Sequence, residues 1–100
     1  MYLDNIIEHK KEELKSATPF TQERNKKVFD TYASLKEKPF ICEIKKASPS
    51  MGDINLTVNI IEQAKKYEAG KAGAISVLTD KKYFKGDMQF LDETASSVSI

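Results

Sequence analysis

The sequence predicts an α/β fold in which helices precede a parallel strand-helix-strand unit. Three observations predict it. Phe40 to Lys45 is a short apolar run that turns charged and stops at Ser48-Pro49-Ser50. Thr57 to Ala69 is an amphipathic stretch closed by Gly70, and Ala74 to Leu78 is a second compact apolar run. Two strands joined through a helix pair in parallel, with a right-handed crossover in nearly all cases. At 100 residues the chain amounts to one domain at most. It divides into a helical extension, residues 1–38, and a strand-containing part, residues 39–100.

Tyr2 to Lys15 carries Leu3, Ile6, Ile7 and Leu14 at helical spacing, with glutamates and lysines opposite, which predicts an amphipathic helix. Thr18-Pro19 breaks it, and Thr21 offers a capping hydroxyl. Gln22 to Leu35, with Val28, Phe29, Tyr32 and Leu35 on one stripe, predicts a second helix. Lys36 to Pro39 is a polar connector into the first strand. The third helix spans Thr57 to Ala69, with Val58, Ile61, Ala64 and Tyr67 inward, Asn55 or Thr57 as its cap and Gly70 as its stop. Ala74 to Leu78 reads as a strand buried on both faces. Lys81 to Gly86 is then a polar loop holding Tyr83 and Phe84. Asp87 to Val98 is a final helix with Met88, Leu91 and Ala95 inward. Two strands apolar on both faces do not finish a sheet, so the polypeptide is expected to be incomplete.

Bulk composition excludes several classes of function. Sixteen lysines and arginines against 15 acids leave a net charge of +1, with no one-signed block to attract nucleic acid or a membrane surface. Polar residues interrupt the apolar positions near the amino end, so neither a signal peptide nor a membrane span is read there, and the cytosol is the expected compartment. Cys42 is the single cysteine, which leaves no intramolecular disulfide and too few ligands for structural zinc. Redox and metal chemistry are not expected.

Chemistry concentrates at the end of the first strand. On an extended backbone Ile41, Glu43 and Lys45 point to one face and Cys42 and Ile44 to the other, so a carboxylate and an ammonium project the same way from neighbouring pleats. Pro49 lacks an N–H, fixes its own φ and pushes Ser48 toward an extended conformation, which ends the strand.

The run FICEIKKASPS, Phe40 to Ser50, resembles the signature of the indole-3-glycerol phosphate synthase family, in which Glu, one residue, Lys, two residues and Ser-Pro are the fixed elements. Glu43, Lys45, Ser48 and Pro49 fill those places. YEAGKAGAISVLTD (Tyr67 to Asp80), KKYFKG (Lys81 to Gly86) and the amino-terminal LDNIIEHKKEEL are similar to further family segments, in order and nearly end to end. The resemblance implies an α/β (β/α)8 TIM barrel of which this chain carries the helical extension and the first two βα units. Such barrels take about 250 residues. It also implies ring closure and decarboxylation of 1-(2-carboxyphenylamino)-1-deoxyribulose 5-phosphate to indole-3-glycerol phosphate, carbon dioxide and water, a step of tryptophan biosynthesis, without a cofactor. The family's general acid, a lysine on the third strand, and its general base, a glutamate on the fifth, have no counterparts here, so the isolated chain is expected to be inactive.

Under that resemblance Glu43 and Lys45 are the catalytic candidates: Lys45 meets the substrate's anionic groups, and Glu43 holds lysines in place and steadies cationic intermediates. The alternative for the pair is a structural salt bridge and a solvated lysine. Ser48 either donates to substrate or satisfies its own turn. Pro49 walls an apolar slot, and Phe84 either stacks on the substrate ring or covers the second helix. Lys46 is read as a surface lysine, His9 as solvated, Cys42 as a small apolar core residue, and the lysine pairs 10 and 11, 26 and 27, 65 and 66 as polar helix faces. The expected partner is a small phosphorylated aromatic molecule, with no nucleic acid and no membrane. Open strand edges also admit pairing with the rest of a barrel or with a second copy. A third reading makes Ser48-Pro49-Ser50 and the helix start near Asn55 a phosphate nest.

Overall fold

The computed structural model describes residues 2–23 and 27–100. Its elements run α1 (Tyr2–Lys15), α2 (Thr31–Glu37), β1 (Ile41–Ile44), β2 (Ala47–Ser48), β3 (Gly52–Asp53), α3 (Ile60–Ala69), β4 (Ala74–Val77), α4 (Lys81–Phe84) and α5 (Met88–Ser97). β1 and β4 pair in parallel, with Ile41 opposite Ala74 and Ile44 opposite Val77. The strand-helix-strand unit predicted from the sequence is present.

Pleat alternation sorts the two strands into unlike faces. Cys42 and Ile44 lie beside Ile75 and Val77 on the face that receives α3 and α5. There Ile44, Ile60 and Ala64 are buried, with Val58, Tyr67, Phe90 and Val98 packed around them. The opposite face carries Ile41 and Glu43 beside Ala74 and Ser76, and Ile41 is 63% exposed. β4 is therefore half-buried and not sealed on both faces as its apolar run suggested. The radius of gyration, 15.2 Å, exceeds the roughly 13 Å of a compact domain this long, consistent with that open face.

Four local expectations are corrected. The second helix covers Thr31–Glu37 and not Gln22 to Leu35; residues 24–26 of that prediction lie outside the described residues. The Asp30 carboxylate accepts the Ala33 N–H at 3.0 Å and starts the helix there, while Val28 and Tyr32 are each 72% exposed. An apolar stripe with nothing to pack against does not sustain a helix. α3 begins at Ile60, capped by Asn59 rather than by Asn55 or Thr57, and Ile60 takes the buried place assigned to Ile61. The supposed polar loop Lys81 to Gly86 opens with α4, capped by Asp80. In α5 Phe90 and Thr94 face inward, whereas Met88, Leu91 and Ala95 are exposed.

The segment after β1, expected only to end the strand, folds into a hairpin in which Ala47 pairs with Asp53 and Ser48 with Gly52. Gly52 sits at φ +65°, the left-handed region where a side chain is strained. Gly86 has a different constraint: a Cβ there would lie 2.1 Å from the Leu78 carbonyl oxygen, because its N–H reaches back to the Asp80 carbonyl at 2.7 Å. The two sites predict different penalties. Gly52→Ala loses about 1 kcal/mol from backbone strain alone, since its Cβ meets nothing within 4 Å. Gly86→Ala must displace backbone, so its urea midpoint, followed by circular dichroism, falls further. Equal midpoints would contradict this account.

Candidate active site

Parallel pairing makes β1 and β4 end on the same side of the molecule. The hairpin β2–β3 follows one strand there and α4 follows the other. Lys85 Nζ donates to Asp53 Oδ1 at 2.5 Å, joining the two segments. α1 closes the arrangement: Lys10 contacts the Asp80 carboxylate, the Tyr83 hydroxyl donates to the Asn5 carbonyl at 3.1 Å, and the His9 and Tyr83 rings meet edge to face at 5.7 Å. His9 also pairs with Glu13 at 2.7 Å. His9, 26% exposed, is thus not the solvated group expected, and Lys10, though 43% exposed, reaches across to Asp80.

Between these segments lies a cleft of about 390 Å³. Lys45, Ser48, Pro49, Ser50 and Met51 form one wall, Phe84 a second, and Tyr2, Leu3 and Ile6 of α1 a third. Its volume falls in the range of small-molecule sites. One ammonium, three hydroxyls, a proline ring and two aromatic rings around an apolar floor suit an anionic molecule bearing a flat ring.

Four of the five residues singled out from the sequence, Lys45, Ser48, Pro49 and Phe84, meet at this cleft. Glu43 stands just behind it on the open sheet face. Its Oε1 lies 3.4 Å from Lys45 Nζ, and its Oε2 accepts from the Ser76 hydroxyl at 3.2 Å. Ser48 is buried, and its oxygen accepts the Met51 N–H at 3.1 Å, so the turn role exists; the hydroxyl proton is a different group and can serve a ligand. Phe84 lines the cleft. Lys46 is no plain surface lysine: its ammonium lies 4.4 Å from the centre of the Phe90 ring. The phosphate-nest alternative loses its geometry, because Asn55 caps no helix and spends its side-chain oxygen on Thr57.

A family model of indole-3-glycerol phosphate synthase matches residues 3–100. The chain belongs to that family. Among curated relatives, the indole-3-glycerol phosphate synthases of Streptococcus mutans and Streptococcus gordonii are 46% and 44% identical to it, and that of Lactococcus lactis subsp. cremoris 42%. Each match covers 99% of this chain but only 39–40% of the relative. The chain therefore spans about two fifths of the length of these synthases. No helix among the described residues is long and apolar enough to cross a membrane.

Sequence reasoning missed the contribution of α1. Leu3 and Ile6 were visible as an apolar stripe, and the signal for their role is that this stripe contains more apolar surface than the small core uses. Leu3 is 63% exposed.

The contact holding α1 titrates at both ends. Burial pushes the Asp80 carboxyl up, but the Lys10 ammonium and the Tyr83 N–H together outweigh it and hold Asp80 below its usual range. Asp80 and then Glu13 raise Lys10. A lowered Asp80 stabilises the fold above the unfolded carboxyl value of about 3.9, and that contribution fades as pH falls through the lowered value; a raised Lys10 contributes below about 10.4 and fades as pH rises through its raised value. Amide exchange in α1, corrected for intrinsic rate, is accordingly slowest between about pH 4 and 10 and accelerates on both sides. A profile flat below pH 4 would contradict the assignment to Asp80.

Proposed function

We propose that this chain supplies the helical extension, residues 1–38, and the first two βα units, residues 39–100, of an indole-3-glycerol phosphate synthase built as a (β/α)8 barrel. The reaction is ring closure and decarboxylation of 1-(2-carboxyphenylamino)-1-deoxyribulose 5-phosphate, releasing carbon dioxide and water. The observation that carries this reading is the convergence of Lys45, Ser48, Pro49 and Phe84 on one cleft with Glu43 paired behind Lys45. Barrel enzymes keep their sites at this end of the strands.

Lys45 brings positive charge to the substrate's phosphate or carboxylate, and its flexible stem lets it follow the anion as charge shifts. Glu43 positions Lys45 and offsets the positive charge that develops in the ring-closing intermediates. Ser48 donates its proton to a substrate oxygen. Pro49 and Phe84 hold the aromatic ring, Phe84 by stacking. The remaining strands supply the general acid and base and close the open face of β1 and β4, and the cytosol is the compartment that suits such a biosynthetic enzyme.

The test joins this chain to the part of the Streptococcus mutans relative that lies beyond the match. In that fusion Glu43→Gln and Lys45→Ala each lower kcat/KM by about 10²- to 10⁴-fold, and Ser48→Ala by about tenfold. The 100-residue chain alone shows no measurable turnover, because members of a catalytic set act as a unit. Wild-type rates in the Glu43→Gln fusion would refute the proposed roles.

A further inference from the structure

Asp80 is the point where the two sides of the cleft are tied together. Its side chain is only 9% exposed, and its two oxygens do different work. Oδ1 receives the Lys10 ammonium from α1, and Oδ2 receives the Tyr83 N–H at 2.7 Å. Lys10 lies one helical turn beyond Ile6 and two beyond Leu3, on the same stripe, so fixing Lys10 fixes the α1 wall. Phe84 follows Asp80 by four residues and ends the short helix that Asp80 caps. A four-residue helix has no cooperative length of its own, so its cap sets where Phe84 stands.

We propose that Asp80 is a positioning residue for the cleft: through Lys10 it sets the α1 wall, through Tyr83 it sets Phe84, and so it fixes the width of the slot that accepts the aromatic ring. This rests on the synthase reading for its substrate but not for its geometry. Asp80 does not line the cleft with Lys45 and touches no reacting atom. It governs how well the ring is held, which is binding expressed equally in the ground and transition states, and therefore KM rather than kcat.

The experiment uses the same fusion. Asp80→Asn keeps a good cap but weakens the tie to Lys10, and Lys10→Met removes that tie from the other side. Each variant is expected to raise KM about 5- to 30-fold with kcat within twofold. The double variant should be no worse than the weaker-binding single, because both break one contact, and Lys10→Arg should restore KM. Unchanged KM in both singles, or a fall in thermal midpoint with unchanged KM, overturns the proposal by leaving Asp80 only a structural tie. Should the wild-type fusion fail to turn over the substrate, the synthase reading fails, and hydrogen exchange then reads the tie directly. Faster exchange at both Leu3–Ile7 and Tyr83–Lys85 in Asp80→Ala, which removes the tie and the cap together, supports it, and unchanged exchange at either segment overturns it.

Discussion

The parallel pairing of β1 with β4 is the constraint from which the rest of the structure follows. Each strand is only four residues long, so the start of the pair has to be fixed from outside. The Phe40 carbonyl receives the N–H groups of Gly73 and Ala74 at 2.9 and 3.4 Å, and Ser34 of α2 donates to the Gly73 carbonyl at 2.7 Å. Gly73 admits this crowding because a Cβ would lie 2.1 Å from the Lys38 carbonyl oxygen. With both strands locked at one end and pointing the same way, both release their chains at the other. Lys45 and Asp80 consequently both follow that end of the pair, though 35 residues separate them in sequence.

Little apolar burial stands behind this arrangement. Among the described residues the buried hydrophobics are Ile44, Ala47, Ile60, Ala64 and Ala72, three of them alanines. Local polar contacts carry correspondingly more of the order. Each helix after α1 begins with an aspartate or asparagine whose side chain accepts a backbone N–H: Asp30 from Ala33, Asn59 from Glu62, Asp80 from Tyr83 and Asp87 from Gln89. Such caps are each worth about 1 kcal/mol, a large amount beside a core this small. The Gln89 N–H holds the Asp87 carboxyl below its usual range, as expected of a carboxylate at a helix start. Ser99 donates twice to Glu68 at 2.8 Å, which fastens the segment after α5 to α3.

The elements legible in the sequence are those whose pattern and packing agree. α1, β1, α3, β4 and α5 were all visible from periodicity and stop signals, and the face assignment of Glu43 and Lys45 followed from the pleat. What failed was decided by tertiary context. The apolar stripe of Gln22 to Leu35 signals a long helix, but only Thr31–Glu37 has a surface to lie on. The hairpin after β1 rests on pairings of two residues each, below what alternation can reveal. In α5 the buried threonine, Thr94, bonds the Phe90 carbonyl at 2.8 Å and so packs where hydrophobicity alone would place a leucine. At the cleft, the motif on β1 exposed one wall and Phe84 another. The α1 wall stayed hidden, because a stripe that lines a site and a stripe that fills a core have the same period.

The Glu43 and Lys45 pair shows why one geometry supports two readings. At 3.4 Å, with Glu43 44% and Lys45 33% exposed, the pair is screened by water and contributes at most about 1 kcal/mol to stability. Stability alone therefore does not explain an acid and a base held on neighbouring pleats. Under the proposed barrel the pair would act differently once the open sheet face is covered. Closing it lowers the local dielectric, and the interaction of each charge with a third charge grows several-fold over its strength in water. In the proposed site an anion beside Lys45 would then be held more strongly, while Glu43 would keep the net charge of the enclosed group near neutral and limit the desolvation cost. Ser76, donating to Glu43 at 3.2 Å from the neighbouring strand, holds the carboxylate in place before any such closure. The pair is prepared by the strands and gains its electrostatic strength from whatever completes the site around it.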